Sequence, residues 1–174
     1  MVSYCQFCLN EPEESLHKRY HDRQYGFPLD DDRELFARLI LEINQAGLSW
    51  TTILKKADNF YTAYDNFDIV KIASYTEQDR QRLMNDAGII RNRLKINAAI
   101  VNAQRILVLQ HAHGSFKCWL DLHRDLTKDQ WITLFKRNFV FTGGEIVNEF
   151  LMSTGYLTGA HETDCPIYKK LTRL

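Results

Sequence analysis

Cysteine and histidine gather at the two ends of this chain: Cys5-Gln-Phe-Cys8 with His21 near the start, and His161-Glu-Thr-Asp-Cys165 near the finish. A tetrahedral zinc ion takes four thiolate or imidazole donors, so two from each end would clip the termini together and close the fold. On that reading the metal is a staple and not a reagent. Cys5 and Cys8 are rivals for one position. Buried free thiols and surface histidines account for the same spacing equally well.

The chain has 174 residues and 45% apolar content, which fits one domain, 1–174, with a core of its own that zinc would stabilise and not replace. It shows no apolar run of membrane-spanning length and no charged-then-apolar leader, so the expectation is a cytoplasmic protein without a membrane partner. Cysteines at 5, 8, 118 and 165 do not form a secreted disulfide framework, and a reducing compartment is expected. With 22 basic and 22 acidic side chains, global charge says nothing about a polyanionic partner. Basic residues do recur locally, as Lys55-Lys56, as Arg91, Arg93 and Lys95, and as Lys136-Arg137, where helical stretches begin or end. Such clusters are most often solvated faces, and a DNA-facing side is the alternative.

Proline and glycine are scarce, and helical patterns dominate from residue 30 onward. Asp32 opens a segment in which Leu35, Leu39 and Glu42 fall near one helical face, leaving a carboxylate on or beside an apolar surface. Gly47 breaks that helix and Ser49 can cap the next, which starts at Trp50. Further helices are expected at about 59–65, 68–73, 76–86, 91–110, 115–122, 127–137 and 143–154, with Thr76 and Thr127 as caps. No stretch alternates apolar and polar residues, so the fold class is all-α. Within it, about 76–109 reads as two helices joined by a tight apolar hairpin containing Gly88, able to aim backbone N–H groups at a phosphate. An ordinary αα-hairpin with Ile89 and Ile90 in the core is the commoner outcome of this pattern.

Three segments carry a more specific signal: Tyr20-His-Asp-Arg-Gln-Tyr25-Gly26, Leu41-Glu42-Ile-Asn-Gln-Ala-Gly-Leu-Ser-Trp50 with Leu54-Lys-Lys56, and Asp86-Ala-Gly-Ile-Ile-Arg-Asn-Arg93. They closely resemble the 3-methyladenine DNA glycosylase I family, a zinc-containing member of the helix–hairpin–helix DNA repair superfamily. The likeness runs from about Cys5 to Cys165. It implies an all-α helix–hairpin–helix glycosylase fold whose structural Zn²⁺ joins the terminal segments 5–21 and 161–165. Its ligands would be a cysteine near the start with His21, His161 and Cys165. Cys5-Gln-Phe7 resembles the family's Cys-x-aromatic opening and keeps its distance to Pro12, whereas Cys8 better keeps the distance to His21; Cys5 is taken as the ligand.

The resemblance also implies that Glu42, Trp50 and Tyr20 hold the excised base, with Phe7 and Tyr25 as pocket wall where tryptophan is common, and with His17 where a tyrosine is often found. The chemistry is coherent without it. A purine alkylated at N3 is cationic, so a buried carboxylate and a stacked aromatic face favour it over neutral adenine. Cation–π attraction supplies about 1–2 kcal/mol, and the carboxylate must supply the rest. The cationic base is already a good leaving group, so extrusion and binding matter more than general acid catalysis. The implied product is an abasic site with the strand intact. Gly88, Arg91, Arg93 and Lys95 would hold the backbone of double-stranded DNA carrying alkylated bases.

Two features depart from the family pattern. The region between Trp119 and Phe139 is shorter than expected, and Phe141 to Asn148 adds a carboxylate, Glu145, which either lines the pocket or favours a helix N-terminus, the latter being the better fit. The competing functions are a zinc-stapled DNA-binding module without chemistry and a redox or metal sensor using Cys5-x-x-Cys8. No apolar seam is left over for a partner, and a monomer is expected.

Overall fold

Asp31, Ser49, Asp68, Asn92, Ser115 and Thr127 each turn a side-chain oxygen back onto a backbone N–H at the start of a helix. These caps punctuate a computed structural model that describes residues 2–172, and every regular element among them is helical. The order is α1 (Tyr4–Leu9), α2 (Leu16–Arg23), α3 (Asp32–Gln45), α4 (Trp50–Ala63), a short 3₁₀ turn (Asp65–Phe67), α5 (Ile69–Ala73), α6 (Glu77–Met84), α7 (Arg93–His113), α8 (Phe116–Leu122), α9 (Lys128–Asn138), α10 (Gly144–Ser153) and α11 (Pro166–Leu171). Among the described residues no helix is long and apolar enough to cross a membrane.

α3 lies at the centre. It packs on α4, α7, α8 and α10, and all ten residues from Leu35 to Asn44 are buried, so the single apolar face read from the sequence is too narrow a description. Leu35, Phe36, Leu39, Ile40 and Ile43 are withdrawn from water completely, at roughly 1.5–3 kcal/mol each. The same burial surrounds Arg38, Glu42 and Asn44, three polar side chains in an apolar layer. Buried polar groups cost free energy unless partnered, which makes this helix the place to look for function.

Other differences from the expected pattern have local causes. The helix expected at 59–65 is the second half of α4, since nothing between Lys56 and Asn59 interrupts it. The break comes later, where Asp65, Asn66 and Phe67 all take positive φ. α1, α2 and α11 were not expected; each is short, and α1 and α2 are held to the body through buried Cys5, Cys8, Tyr20 and His21. α8 and α9 are joined by only 123–127.

The α6–loop–α7 hairpin forms as expected. Gly88 carries no positive φ; a Cβ there would come within 2.9 Å of Asp86 Oδ1 and 3.2 Å of Asn59 Cβ, so glycine allows the loop to lie against α4. Its own N–H donates to Asp86 Oδ1 at 2.7 Å, and Lys56 Nζ donates to the Ala87 carbonyl at 3.0 Å. Ile89 is in the core, as the plain αα-hairpin reading holds, and this anchors the loop without hiding Arg91, which stays exposed.

Candidate active site

The C-terminal turn of α3 and the start of α4 meet at Gly47 (φ 78°), and this corner places Glu42, Gln45 and Trp50 on one cavity of about 240 Å³. Tyr20 from α2, Tyr25 just beyond it, Tyr4 from α1 and Glu149 from α10 complete the lining. The rings of Tyr20 and Trp50 lie 5.1 Å apart, and those of Tyr20 and Tyr25 5.6 Å apart. Tyr20 is 5% exposed, yet among the described residues its hydroxyl has no hydrogen-bond partner, and the Trp50 indole N–H has none either. Unpartnered polar atoms on a cavity wall are the expected mark of a site that a ligand completes.

Glu42 is 4% exposed. Burial, then the neighbouring Glu149 carboxylate, pushes its pKa up to about 8, against a smaller opposing pull from Arg38. Arg38 itself donates to the Ser153 carbonyl at 3.0 Å and lies 5.3 Å from the centre of the Tyr20 ring. Glu149 accepts a hydrogen bond from the Tyr25 hydroxyl at 3.3 Å, and its pKa is also raised, chiefly by burial. Among the described residues no lysine or arginine lines the cavity. A larger cleft of about 790 Å³ shares Tyr20 and Trp50 but contains neither carboxylate.

The sequence placed Glu42, Tyr20, Trp50 and Tyr25 together, and the geometry does so too. Phe7 is a correction: it is 41% exposed and lies outside the lining. Cys5 and Cys8 face inward on α1, and this rotation puts Phe7 on the outside, packed on His17, and gives the wall to Tyr4. His17 ties that wall down, with Nδ1 3.1 Å from the Tyr4 hydroxyl and Nε2 2.8 Å from Thr51 Oγ1. Glu145 is exposed in the first turn of α10, where its charge suits the helix N-terminus. The carboxylate that reaches the cavity is Glu149, one turn further on, which sequence reasoning missed because no local pattern marks it.

Lys95 is the second correction. It is 5% exposed and donates to the carbonyls of Asn44 at 2.8 Å and Ala46 at 2.6 Å, so it closes the end of α3 and is not available to a phosphate. Lys95→Met is expected to cost about 1–3 kcal/mol in urea unfolding, because these buried carbonyls lose their donor, while leaving the salt dependence of DNA binding unchanged. A changed salt slope would return Lys95 to the DNA-facing set. Arg93 pairs with Glu77 at 2.9 Å on the surface, and Arg91 has no hydrogen-bond or ion-pair partner among the described residues.

At the far side of Tyr25, Cys5, His21, His161 and Cys165 are all buried, with one donor atom each lying within 4.8 Å of every other. His21 Nε2 and His161 Nδ1 are 3.1 Å apart, and three sulfur–nitrogen separations are 3.7 Å. Thiolate bonds of about 2.3 Å and imidazole bonds of about 2.0–2.1 Å to one tetrahedral ion give separations of about 3.4 Å (N–N) and 3.6 Å (S–N), so one ion fits. The free ring nitrogens are fixed as a metal site needs: His21 Nδ1 lies 2.6 Å from Asp22 Oδ1, and His161 Nε2 2.7 Å from the Tyr25 carbonyl. Gly26 (φ 81°) makes room, since a Cβ would meet Ala160 Cβ at 2.9 Å and His161 Cδ2 at 3.2 Å. Cys8 stands outside this cluster, its Sγ facing the His17 carbonyl at 3.7 Å.

A carboxylate-bearing aromatic cavity in an all-helical frame has the shape and chemistry to suit a flat, positively charged ring. Comparison with known proteins supplies the family. A family model described as methyladenine glycosylase matches residues 10–131. DNA-3-methyladenine glycosylase 1 of Escherichia coli (strain K12) is 35% identical over 175 residues, taking in 90% of this chain and 93% of that protein. DNA-3-methyladenine glycosylase of Haemophilus influenzae is 35% identical over 173 residues, 88% of this chain and 93% of that one. A solved structure of 3-methyladenine DNA glycosylase I from Staphylococcus aureus, concerned with 3-methyladenine recognition, superposes with a TM-score of 0.83 at 32% identity, covering 95% of this chain and 96% of that one. The chain belongs to the methyladenine glycosylase family.

Proposed function

We propose that this chain is a DNA glycosylase that hydrolyses the N-glycosidic bond of 3-methyladenine in alkylated double-stranded DNA and leaves an abasic site. The observation that carries the reading is Glu42, a carboxylate buried at the wall of an aromatic cavity beside the unpartnered Tyr20 hydroxyl. A binding module without chemistry predicts a cavity blocked or stripped of its carboxylate, and this one has neither defect.

The steps follow from the groups present. The extruded base enters between Tyr20, Trp50 and Tyr25, and its positive charge draws Glu42 into its ionised form. N3-methylation has already weakened the C1′–N9 bond; as it breaks, the base leaves neutral and positive charge moves onto the sugar, where water attacks C1′. Enclosure of the base and exclusion of neutral purines are the protein's part in this. The α6–α7 hairpin is read as a helix–hairpin–helix element whose loop, with Arg91 exposed beside it, faces the phosphate backbone. Zn²⁺ held by Cys5, His21, His161 and Cys165 would join the termini and supply rigidity, not reactivity. The protein is read as a one-domain monomer, and its reduced cysteines suit the cytoplasm.

Incubation with methylated duplex DNA and chromatography of the released bases tests this reading. Release of 3-methyladenine is expected; folded, zinc-loaded protein that releases no base would overturn it. Arg91→Gln is expected to weaken binding to all sequences alike and to reduce the slope of log K against log salt by about one unit. An unaltered slope would place Arg91 off the DNA.

A further inference from the structure

The cavity holds a second carboxylate, one that Glu42 chemistry does not require. Glu149 comes from α10, an element separate from α3, and lines the same cavity as Glu42. The Tyr25 hydroxyl fixes one of its oxygens, so the side chain is directed and not a loose surface group. The cations nearest in effect stand back from the site: Arg38 is spent on the Ser153 carbonyl and the Tyr20 ring, and Lys128 is at the start of α9. The Tyr20 hydroxyl, nine-tenths buried and unpartnered on the same wall, independently marks this space as one that a ligand fills. Two carboxyl groups with no cation in the lining among the described residues form an electrostatic hole, and a cationic guest relieves it where a neutral one cannot.

We propose that Glu149 is a specificity-determining residue, which acts with Glu42 to select positively charged bases over neutral ones of the same shape. This rests on the glycosylase reading of the cavity. A single carboxylate is enough to hydrogen-bond an exocyclic amine, and neutral adenine offers that amine too. An N3-methylated purine in DNA differs from its undamaged parent in its positive charge as well as in the methyl group and the lost N3 acceptor. Placing negative charge on two sides of the ring, from two helices, increases discrimination by charge without adding any contact that the neutral base could also use. Selection then depends on the cation itself and less on the pattern of donors at the base edge.

The test uses free bases, so that DNA binding and bond cleavage do not enter. The probes are the permanently cationic 3,9-dimethyladeninium ion and neutral 9-methyladenine, titrated calorimetrically into zinc-loaded wild-type protein, Glu149→Gln and Glu145→Gln. The wild type is expected to prefer the cation, and Glu149→Gln to reduce the cation-to-neutral ratio of affinities about tenfold by weakening the cation alone. Glu145→Gln, on the same helix but outside the cavity, is expected to change the ratio less than twofold. An unchanged ratio in folded Glu149→Gln overturns the proposal, as does an equal loss for both probes, which would mark Glu149 as structural support for Tyr25. Base release from methylated DNA, measured alongside, separates the two readings: release with an unchanged ratio removes the role of Glu149 and leaves the glycosylase assignment standing.

Discussion

Glu42→Gln is expected to lower kcat/KM for release of 3-methyladenine by about 100-fold or more while making the folded protein more stable. The loss follows from removing the charge that meets the cation in a water-poor cavity, where a single preorganised electrostatic contact is worth about 2.7–4 kcal/mol. The gain follows from linkage. In the unfolded chain Glu42 ionises near its ordinary value of 4.5, whereas in the fold it holds its proton up to about 8. Between those values the native state binds one more proton than the unfolded state, so the stability this group contributes is full below 4.5 and is lost as pH rises toward 8. At about 1.4 kcal/mol per pH unit, the ionised side chain costs on the order of 5 kcal/mol above that window, and glutamine does not incur it. The melting temperature of the variant is therefore expected to exceed that of the wild type at pH 8 and to approach it at pH 4.5. The methylated base in DNA carries a permanent charge, so ionisation of Glu42 is expected to raise wild-type kcat/KM between pH 6 and 8, and this rise to flatten in Glu42→Gln. Full activity in the variant, or a wild-type profile without that rise, would remove Glu42 from base recognition.

That combination of lost activity and gained stability explains why the site was legible where it was. Glu42 stood out in the sequence because a carboxylate at an apolar helical position conflicts with its surroundings, and such conflicts collect at functional sites. Trp50 and Tyr20 were found through the motif around them, since an aromatic residue alone reads equally well as core. Glu149 gave no comparable signal. It lies two residues past Val147 on an amphipathic helix, where a glutamate ordinarily faces water, and only the packing of α10 on α3 turns it toward the cavity. Lys95 failed in the opposite sense: a lysine in a basic run reads as exposed, but an αα-hairpin packed against the end of α3 puts its ammonium group where two carbonyls lack donors. Phe7 depended on the rotation of a six-residue helix, and that rotation is set by Cys5 reaching a cluster whose other members lie at residues 21, 161 and 165. Helix caps are local and are legible at Ser49, Thr76 and Thr127, whereas the destinations of Glu149, Lys95 and Phe7 are set by long-range packing that no motif reports.

His161→Ala is expected to lower zinc content and thermal stability together, and then to lower activity for a geometric reason. Joining Cys5 to Cys165 through one ion closes nearly the whole chain into a loop, and for a loop of this size the entropy argument used for disulfides gives about 5 kcal/mol. In a domain of this length that corresponds to a fall in melting temperature on the order of 10–20 °C, with the same fall in wild-type protein stripped by a chelator and recovery when zinc is returned. The cluster also supports two walls of the cavity. Cys5 adjoins Tyr4 on α1, and His161 Nε2 is held 2.7 Å from the carbonyl of Tyr25. Without the ion these walls lose their anchor, while α3, α4 and the α6–α7 hairpin keep their own core. Base release should therefore suffer more than undirected DNA binding, measured at a temperature where the stripped protein is still folded. Cys8→Ser provides the comparison on the same helix: its sulfur faces the His17 carbonyl and not the cluster, so that variant is expected to keep its zinc. Full zinc occupancy in His161→Ala, or loss of zinc in Cys8→Ser, would redraw the ligand set, and activity unaffected by zinc removal would separate the metal from the cavity altogether.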